Sequence, residues 1–565
     1  MTVDSKHPRG DVEKVIDCVT PSYHPRQVEK QAPCQEGCPN CGDIRHWIGI
    51  VAQRSKMGIS KKQAFTRAWQ TIVDVNPFPS TLGRICPHPC EAHCNRSDLD
   101  EPLAINALER FLGDWAVENR LPLARLQDDS GEEWIGVVGA GPSGLSFAYQ
   151  LARRGYRVTV YEAKAQAGGM LRYGVPDYRL PPAILDAEIA RILELGVELK
   201  VNTLIGRDIT LDELRKRHAT LYLGLGAQQG RSLNLEGGDG PSVWTGIDYL
   251  SRINCGEKIE LGTHVIVIGG GNTAIDAARS ARRTGADVTV LYRRSREEMP
   301  AIQDEVEDML EEGVKLILLA SPVRLERDNA GKPEKLVASR MALGKPDSSG
   351  RRRPGIIEDS EFRLPVDSLI TAVSQTPALE GFESLKNNRG WLLTDSHGHV
   401  DENVLAGGDT LSIGIAGNAI VQGRNAAEAL HARLRGIEDT GLPTAARASI
   451  GPQLIKFDSK PRSSAVRSAR LPGDERIAKV DAEVVATISE IQFLQEVERC
   501  FSCGSCMGCE QCSMFCTLAC YTKLEEVSPG MYFTLMHDAC KACGKCIEVC
   551  PSGFLDASHI TCGIS

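Results

Sequence analysis

Apolar and polar positions follow one another in two segments of the chain as a strand, a glycine-rich turn, a helix and a second strand. The first segment reads IGVVGAGPSGLSFAYQLARRGYRVTVYEA over 135–163, and the second reads HVIVIGGGNTAIDAARSARRTGADVTVLYRR over 264–294. In each, a short apolar run precedes the glycines, and a β-branched run follows the Ala-rich stretch. The pattern predicts two βαβ units and therefore an α/β protein with two Rossmann-like domains in tandem.

The rest of the chain differs from these units in composition. The first segment is helical and loop-rich, a polar stretch rich in Pro, Ser and Arg predicts a connector with one helix, and the last segment is rich in cysteine. The predicted boundaries are 1–130 for the helical domain, 131–250 plus 365–436 for the first nucleotide domain, 251–364 for the second, 437–495 for the linker and 496–565 for the cysteine-rich domain.

Composition and charge narrow the class of protein. The 565 residues carry a formal net charge of −9, which argues against nucleic acid or an anionic membrane as the main partner. No uninterrupted apolar run approaches the length that spans a bilayer, and the first thirty residues lack a signal-peptide stretch. We therefore expect a cytoplasmic protein without a membrane span.

The 20 cysteines are clustered. Seven lie between Cys18 and Cys94, twelve lie between Cys500 and Cys562, and Cys255 stands alone. In a reducing compartment, short clustered spacings indicate metal or redox chemistry and not disulfides.

The first glycine-rich loop has the sequence of a dinucleotide site. Gly139 permits the tight turn, Gly141 lets the backbone approach a pyrophosphate, and Gly144 lets helix and strand pack closely. The intervening Pro142 and Ser143 begin the helix, whose amides favour a phosphate. Glu162 closes the second strand, where it is placed to accept hydrogen bonds from a ribose.

The second loop has the same setting with one change. Its predicted ligands are Gly269, Gly271, Asn272, Thr273 and Ala274, with Ala in the third glycine position. At the position that matches the acidic residue of the first unit the chain has Tyr292, followed by Arg293 and Arg294. Two guanidinium groups favour a 2′-phosphate, so we expect NADPH over NADH, although two solvated arginines at a strand end remain the alternative.

Three separated strings carry a family resemblance. GGMLRYGVPDYRLP (168–181), REEMPA (296–301) and LAGGD (405–409) resemble the glutamate synthase small subunit and its relatives over about residues 30–435. The resemblance implies FAD on the first loop and NAD(P)H on the second. It also implies that the flavin lies beside Gly169, Met170 and Leu171, and that Gly408 and Asp409 hold the FAD ribitol chain.

The N-terminal cysteines are spaced as metal ligands. Cys34 and Cys38 precede Cys86, Cys90 and Cys94 by about fifty residues, and such thiolates bind a cubane cluster or, alternatively, zinc. The family resemblance favours [4Fe-4S].

The same resemblance implies one N-terminal cluster on Cys38, Cys86 and Cys90 with Glu109 as fourth ligand. A second cluster, on Cys34 and Cys94, would need substitutes for two cysteines that relatives have upstream, for which Cys41 and Cys18 are the candidates. The sequence thus leaves one or two N-terminal clusters open.

The C-terminal cysteines reproduce the spacing of a two-cluster bacterial ferredoxin. In that fold the last cysteine of each run binds the other cluster. One predicted ligand set is therefore Cys506, Cys509, Cys512 and Cys550, and the other is Cys540, Cys543, Cys546 and Cys516. A shifted register that uses Cys500 and Cys503 stays open, and Cys520 and Cys562 have no predicted role.

These parts indicate an oxidoreductase that moves electrons between NAD(P)(H), FAD and [4Fe-4S] clusters, with no catalytic acid, base or nucleophile required. A disulfide reductase of this fold needs a redox-active Cys-x-x-Cys in a nucleotide domain. The predicted nucleotide domains of this chain contain only Cys255, so this activity is disfavoured. The direction of electron flow is open. A zinc-bound interaction protein is the alternative from another class.

The partner is expected to be a protein. RCFSCGSCMGCEQCSMFC (499–516) and PGMYF (529–533) resemble fused relatives that accompany reverse-acting dissimilatory sulfite reductase in sulfur oxidation, which implies a homodimer serving that enzyme. The alternative is an electron-input subunit for a soluble ferredoxin, a glutamate synthase or an aldehyde/oxoacid oxidoreductase complex.

Overall fold

The N-terminal part of the protein is helical. The computed structural model describes residues 23–127, 133–347, 350–437 and 449–559. After a first strand, six helices follow: β1 (Tyr23–Gln27), α1 (Pro33–Glu36), α2 (Ile44–Ala52), α3 (Lys61–Val73), α4 (Pro79–Ile85), α5 (Pro89–Ala92) and α6 (Ile105–Glu118). Phe65 packs edge-on against Phe111 and Trp115, which places the core of this domain between α3 and α6.

The first predicted βαβ unit is present and begins the next domain. Its elements are β2 (Trp134–Val138), α7 (Pro142–Ala152), β3 (Arg157–Tyr161), α8 (Met170–Tyr173), α9 (Pro182–Glu194), β4 (Glu198–Lys200), α10 (Leu211–Arg217), β5 (Thr220–Leu223) and β6 (Gln229–Gly230). β2 pairs in parallel with both β3 and β5, and Gly136 lies between Thr159 and Leu221 in that register.

The second βαβ unit lies in a separate sheet. Its elements are β7 (Val243–Thr245), α11 (Gly246–Asn254), β8 (His264–Ile268), α12 (Asn272–Arg283), β9 (Asp287–Tyr292), α13 (Gln303–Glu311), β10 (Lys315–Leu318), β11 (Ala320–Arg327), β12 (Pro333–Pro346), β13 (Arg352–Pro365), β14 (Ser368–Thr371) and β15 (Gln375–Thr376). The parallel sheet has the order β10-β9-β8-β14-β7, and β11, β12 and β13 form an antiparallel sheet beside it.

The chain then returns to the first sheet with β16 (His399–Asp401), β17 (Val404–Ala406) and the long helix α14 (Ala416–Arg435). The completed order is β16-β17-β5-β2-β3-β4, and α14 packs on α7. At the contact, a Cβ on Gly423 would lie 2.2 Å from the carbonyl oxygen of Ser143, so only glycine allows this approach.

The strand pairing corrects two predicted domain boundaries. Leu369 of β14 pairs with Ile266 of β8 on one side and with Val243 of β7 on the other. Both β7 and β14 therefore belong to the second nucleotide domain, although the boundaries at 250 and 365 assign them to the first. The cause is that parallel partners are distant in sequence, so a composition change does not mark where a sheet ends.

The segment predicted as a linker packs against the rest of the protein. Residues 449–495 include α15 (Gly473–Ala478) and the start of α16 (Glu490–Glu498). Phe493 of α16 stacks on Phe111 with the ring centroids 4.3 Å apart. The segment is therefore part of the helical domain's core as well as a connection.

The last domain contains α17 (Gln511–Met514), β18 (Tyr521–Ser528), β19 (Met531–Leu535), α18 (Lys545–Val549) and β20 (Leu555–His559). β18 pairs with β19, whereas β20 pairs antiparallel with β1 from the opposite end of the chain. The helical and cysteine-rich domains are thus joined through a shared sheet. None of the helices in the described ranges is long and apolar enough to cross a bilayer.

An ion network joins the linker to both nucleotide domains. The fully buried Arg279 of α12 pairs with Glu305 and, at 2.7 Å, with Glu312. Arg179 of the first nucleotide domain contacts Asp276, and the linker arginines Arg470 and Arg476 both reach Asp308. The charges are buried and paired, so removal of one partner leaves the others uncompensated.

Arg279→Met should therefore destabilise the protein by about 3–5 kcal/mol, because Glu305 and Glu312 lose their buried counter-charge. We expect thermal unfolding to begin several degrees lower than in the parent protein. Arg207→Met is the matched control, since the Arg207 side chain is 71% exposed and its ion pair within the described ranges is with the neighbouring Asp208. Equal midpoints for the two variants would contradict a structural role for the network.

Candidate functional site

The two glycine-rich loops face one cavity. Its volume is about 1210 Å³, and residues from the helical domain and both nucleotide domains line it. The first nucleotide domain contributes Pro142, Met170, Leu171 and Asp409, and the second contributes 269–273 with Arg293 and Arg294. The third wall is formed by Pro39, Ile85 and Pro87, which are neighbours of Cys38 and Cys86. The cavity thus connects both predicted nucleotide sites with the N-terminal cysteines.

The first loop has the geometry that its glycines predict. Gly139 has φ +100°, and a Cβ there would lie 2.3 Å from the carbonyl oxygen of Gly224. A Cβ on Gly144 would lie 2.0 Å from the carbonyl oxygen of Gly139. At Gly141, in contrast, the nearest atom would be Cα of Gly169 at 3.8 Å, so this position borders open space. A pyrophosphate fits there, against the N-terminus of α7.

Glu162 is held by the backbone and does not line the cavity. Its Oε2 accepts from the amide of Ala140 and its Oε1 from the amide of Lys164, each at 2.9 Å. The carboxylate therefore braces the loop that carries Gly139 and Gly141. Each oxygen keeps a lone pair for a ribose hydroxyl, the contact that the sequence predicts.

Asp409 is positioned at the cavity by its own loop. Its Oδ1 accepts from the amide of Gly414 at 3.0 Å, and burial raises the pKa of the carboxyl. The adjacent Gly408 donates its amide to Oε1 of Gln422 on α14. The predicted ribitol contact is thus on the cavity wall, on a loop fixed by α14.

The second loop repeats the arrangement of the first. Gly269 has φ +150°, and a Cβ there would lie 2.4 Å from the carbonyl oxygen of Ala372. Gly271, Asn272 and Thr273 line the cavity, whereas Ala274 is fully buried in the helix–sheet contact. Oδ1 of Asn272 accepts from the amide of Ile302, which fixes the start of α12.

The two predicted 2′-phosphate arginines differ in their surroundings. Nη2 of Arg294 pairs with Asp347 at 2.9 Å and its Nε donates to the carbonyl of Arg352, and only 5% of the residue is exposed. The guanidinium of Arg294 therefore already has partners at the hairpin between β12 and β13. Arg293 is exposed at the cavity. Arg293 is therefore better placed than Arg294 for the predicted contact with a 2′-phosphate, which stays a prediction for both.

Three N-terminal thiols lie near a buried carboxyl. Burial and the charge of Glu109 raise the pKa of Cys86 to about 12, and burial together with nearby charges that include Glu109 raises the pKa values of Cys38 and Cys90. Burial raises the pKa of Glu109 itself to about 7, although the hydrogen bond that Nδ2 of Asn76 donates at 2.8 Å acts to lower this pKa. The structure thus brings together the four groups predicted for one cluster.

A buried cation lies next to this group. Arg424 of α14 is 2% exposed, and its Nε and Nη1 have no hydrogen-bond partner among the described residues. Its Nε lies 4.0 Å from the carboxylate of Glu428, which is 37% exposed, and the thiols of Cys41 and Cys38 are also near it. A buried guanidinium whose one ion pair among the described residues is this long fits a site that holds net negative charge, as a thiolate-bound cluster does. Sequence reasoning missed Arg424 because nothing local distinguishes it on the helix.

Cys41 does not join Cys34 and Cys94. It is exposed and lies on the side of Cys38 and Arg424. Cys34 and Cys94 instead line a separate cavity with Cys500 and Cys503. The expectation that Cys41 completes this set is therefore wrong, and Cys18, the other candidate, lies outside the described residues.

The last domain has two cysteine-lined cavities. One is lined by Cys506, Cys509, Cys512 and Cys550, and the other by Cys516, Cys540, Cys543 and Cys546 together with the buried Cys520. The crossed assignment of Cys550 and Cys516 matches the sequence prediction. Cys520 donates its amide to Sγ of Cys516, and Cys562 lies outside the described residues. The cysteines of the described ranges are all free thiols.

Three known families match the chain in this order. The "Dihydropyrimidine dehydrogenase domain II, 4Fe-4S cluster" family matches residues 27–121, "Pyridine nucleotide-disulphide oxidoreductase" matches 133–423, and "4Fe-4S binding domain" matches 533–556. Fold and site together define a pyridine nucleotide-disulphide oxidoreductase fold flanked by an N-terminal and a C-terminal 4Fe-4S domain. The chain belongs to the pyridine nucleotide-disulphide oxidoreductase family, in the group that includes the glutamate synthase small chain. The predicted fold class and cofactor domains are confirmed.

Several characterised proteins are similar over most of this chain. The beta subunit of NADPH-Fe(3+) oxidoreductase from Geobacter sulfurreducens is 39% identical, covering 66% of this chain and 56% of its own length. The beta subunit of NADP(+)-dependent formate dehydrogenase from Moorella thermoacetica is 37% identical, covering 73% and 61%. The Azospirillum brasilense glutamate synthase [NADPH] small chain is 32% identical, covering 71% and 86%. The similarity therefore spans less than two thirds of the length of the first two of these relatives.

The first loop offers a matched pair of glycine variants. Gly141→Ala should fold normally but retain little flavin, because its Cβ meets open space in the protein and occupies the position of the pyrophosphate. Gly139→Ala should instead lower the thermal midpoint, since a left-handed φ and the Gly224 contact cost about 1–3 kcal/mol or more. Flavin released on denaturation and the thermal midpoint distinguish the two. Full flavin content in Gly141→Ala would contradict the assignment.

Proposed function

We propose that the protein exchanges electrons between NADPH on the second loop, FAD on the first loop and [4Fe-4S] clusters on the cysteine sites, serving a protein partner. The observation that carries this proposal is the shared cavity. It brings Pro142 and Asp409 of the first nucleotide domain, the 269–273 loop of the second, and Pro39 and Pro87 of the helical domain to one space. A nucleotide ring on each loop would meet there, next to the Cys38 and Cys86 site.

The residues of this cavity bind and orient, and none is needed as a proton donor. FAD, when bound, accepts two electrons with a proton as a hydride and gives the electrons up singly. Gly141 and the start of α7 would hold its pyrophosphate, and Asp409 would accept from a ribitol hydroxyl. Met170 and Leu171 form an apolar wall that keeps water from the reacting rings.

The cysteine sites support at least three clusters. The two cavities of the last domain are lined by four and five cysteines, and Cys38, Cys86 and Cys90 with Glu109 would form the site beside the nucleotide cavity. Thiolate ligation matches iron–sulfur clusters, and the matching family descriptions name 4Fe-4S. The zinc alternative gains no support from these families.

The relatives favour a subunit of a larger oxidoreductase as the setting. The similar proteins from Geobacter, Moorella and Azospirillum are named as subunits or chains of a ferric reductase, a formate dehydrogenase and a glutamate synthase. None of these three names refers to sulfite reductase, so dissimilatory sulfite reductase gains no support as the partner. We therefore propose electron input to another enzyme or to a soluble ferredoxin, from a homodimer of this chain.

Anaerobic purification followed by flavin and iron analysis tests the function. One FAD per chain and at least about twelve irons are expected, with four irons per cubane. Reduced nucleotide should then bleach the flavin and reduce an artificial dye, and affinity capture of the native complex should identify the partner. A colourless protein that oxidises neither NADPH nor NADH would overturn the proposal.

Arg293→Ala should weaken NADPH selectively. Loss of one charged hydrogen bond to the 2′-phosphate, about 1.5–3 kcal/mol, raises the NADPH KM about 10–100-fold and leaves the NADH KM unchanged. Arg294→Ala is the neighbouring control. It should lower stability by removing the ion pair between Arg294 and Asp347, without changing the ratio of the two KM values. An equal loss for both nucleotides in Arg293→Ala would contradict the 2′-phosphate assignment.

A further inference from the structure

We propose that Cys34, Cys94, Cys500 and Cys503 bind a fourth [4Fe-4S] cluster, with two ligands from each end of the chain. Cys500 and Cys503 lie in the loop that follows α16, more than four hundred positions from Cys34 and Cys94. The inference extends the proposed function by one metal site. Its test, an iron count, does not depend on nucleotide oxidation.

The cavity that these thiols line resembles the two ferredoxin cavities. Its volume is about 30 Å³, against about 20 Å³ for each of the other two. Apolar residues, with the polar Arg45, Asn95 and Arg96, form the rest of its wall, so the four thiols are its metal-binding groups. Four thiols that line one small cavity form a complete ligand set for a cubane.

The Cys500–Cys503 loop has the backbone of a cluster-binding loop. The amide of Ser502 donates to Sγ of Cys500 at 3.4 Å, and Ser502 has φ +51°. In the ferredoxin domain the amide of Ala542 donates to Sγ of Cys540, also at 3.4 Å, and Ala542 has φ +53°. A positive φ strains a residue other than glycine, and such a conformation persists only where the surrounding structure holds it, often at functional sites. Both loops therefore aim an amide at a sulfur in the same way.

The same turn occurs in the N-terminal site beside the nucleotide cavity. There the amide of His88 donates to Sγ of Cys86 at 3.4 Å, with φ +41° at His88. Amide donors to ligand sulfurs stabilise the charge of a bound cluster and tune its potential. The turn thus recurs at three separate cysteine sites of this chain, of which Cys500 is one.

The charges around the cavity complement an anionic cluster. Arg45 donates to the carbonyls of Lys30 and Cys503, at 2.6 and 2.8 Å, so its guanidinium is fixed at the wall. Nδ2 of Asn95 lies 3.7 Å from Sγ of Cys503 and also donates to the carbonyl of Ile450. Lys460 lies near Cys500 on the other side. Donors and cations therefore approach the thiols from several elements.

The cavities do not support the alternative in which Cys500 and Cys503 are ferredoxin ligands in a shifted register. Each ferredoxin cavity is already lined by at least four cysteines of its own run and the neighbouring run, and neither Cys500 nor Cys503 lines either cavity. Relatives complete the second N-terminal cluster with two upstream cysteines, which this sequence lacks. In the proposed site, Cys500 and Cys503 take their place beside Cys34 and Cys94.

The site lies between the other cysteine sites along the chain. Cys34 belongs to α1 and Cys38 follows it, while Cys503 and Cys506 flank Gly504. Gly504 accepts from the amide of Lys30 and donates to the carbonyl of Ser552, close to Cys550. A cluster held here would carry single electrons between the nucleotide-side site and the ferredoxin pair.

The test is the iron and sulfide content of Cys500→Ala/Cys503→Ala in the full chain, purified anaerobically. Alanine is chosen because a serine oxygen could still bind iron. The parent should contain about sixteen irons and the double variant about twelve, with unchanged flavin. In the reduced protein, the electron paramagnetic resonance signal of the ferredoxin pair should persist while one other cluster signal disappears. Cys255→Ala, at an exposed cysteine of the nucleotide domain, is the control and should keep the parent's iron.

Cys34→Ala separates ligand loss from misfolding of the loop, because it should lose the same four irons and the same signal from the other end of the chain. Two results would overturn the proposal. One is a double variant with the parent's iron content and spectrum. The other is loss of the ferredoxin signals, which would assign Cys500 and Cys503 to that domain. NADPH-dependent dye reduction at the flavin should remain in all variants, so its loss in the parent would count against the proposed function and not against this site.

Discussion

The pairing of the two ends of the chain is the constraint on which the rest of the structure depends. β1 lies antiparallel to β20, and the thiols of Cys34 and Cys94 face those of Cys500 and Cys503. A buried arginine also stabilises the contact between the N-terminal and C-terminal segments. Arg96 is 1% exposed and donates to the carbonyls of Arg499 and Pro461. These charge-assisted bonds satisfy backbone groups that the contact removes from water.

This closure determines the path of the intervening chain. Because the last domain must return to the helical domain, residues 449–495 run back across both nucleotide domains. Their arginines enter the buried ion network at Asp308, and Glu483 pairs with Arg84 and Arg110 of the helical domain. The segment thus contacts the nucleotide domains and the helical domain, which are the domains that line the shared cavity.

The local features of the fold could be predicted from sequence, and the long-range ones could not. The turn at Gly139, the helix that follows it and the crossed ferredoxin spacing are each encoded within a short stretch. The membership of β7 and β14 in one sheet depends on pairing between distant strands, and the partners of Cys500 depend on the closure of the whole chain. Arg294 shows a third limit: its guanidinium looks available in the sequence, but Asp347 from a distant hairpin binds it.

The four cysteine sites are not equivalent, and the difference follows from charge. The site beside the nucleotide cavity has three thiols and the carboxyl of Glu109, with the buried cation of Arg424 next to Cys38 and Cys41. The site with Cys34 has four thiols, with Arg45, Asn95 and Arg96 among its lining residues, and in the ferredoxin sites Cys543 is exposed. Ligand type, nearby charge and solvent exposure each set the potential of a cluster. Under the proposed function, the site with the carboxyl ligand would be the one that takes electrons singly from the flavin, and the site with the exposed Cys543 would be the one that a partner reaches.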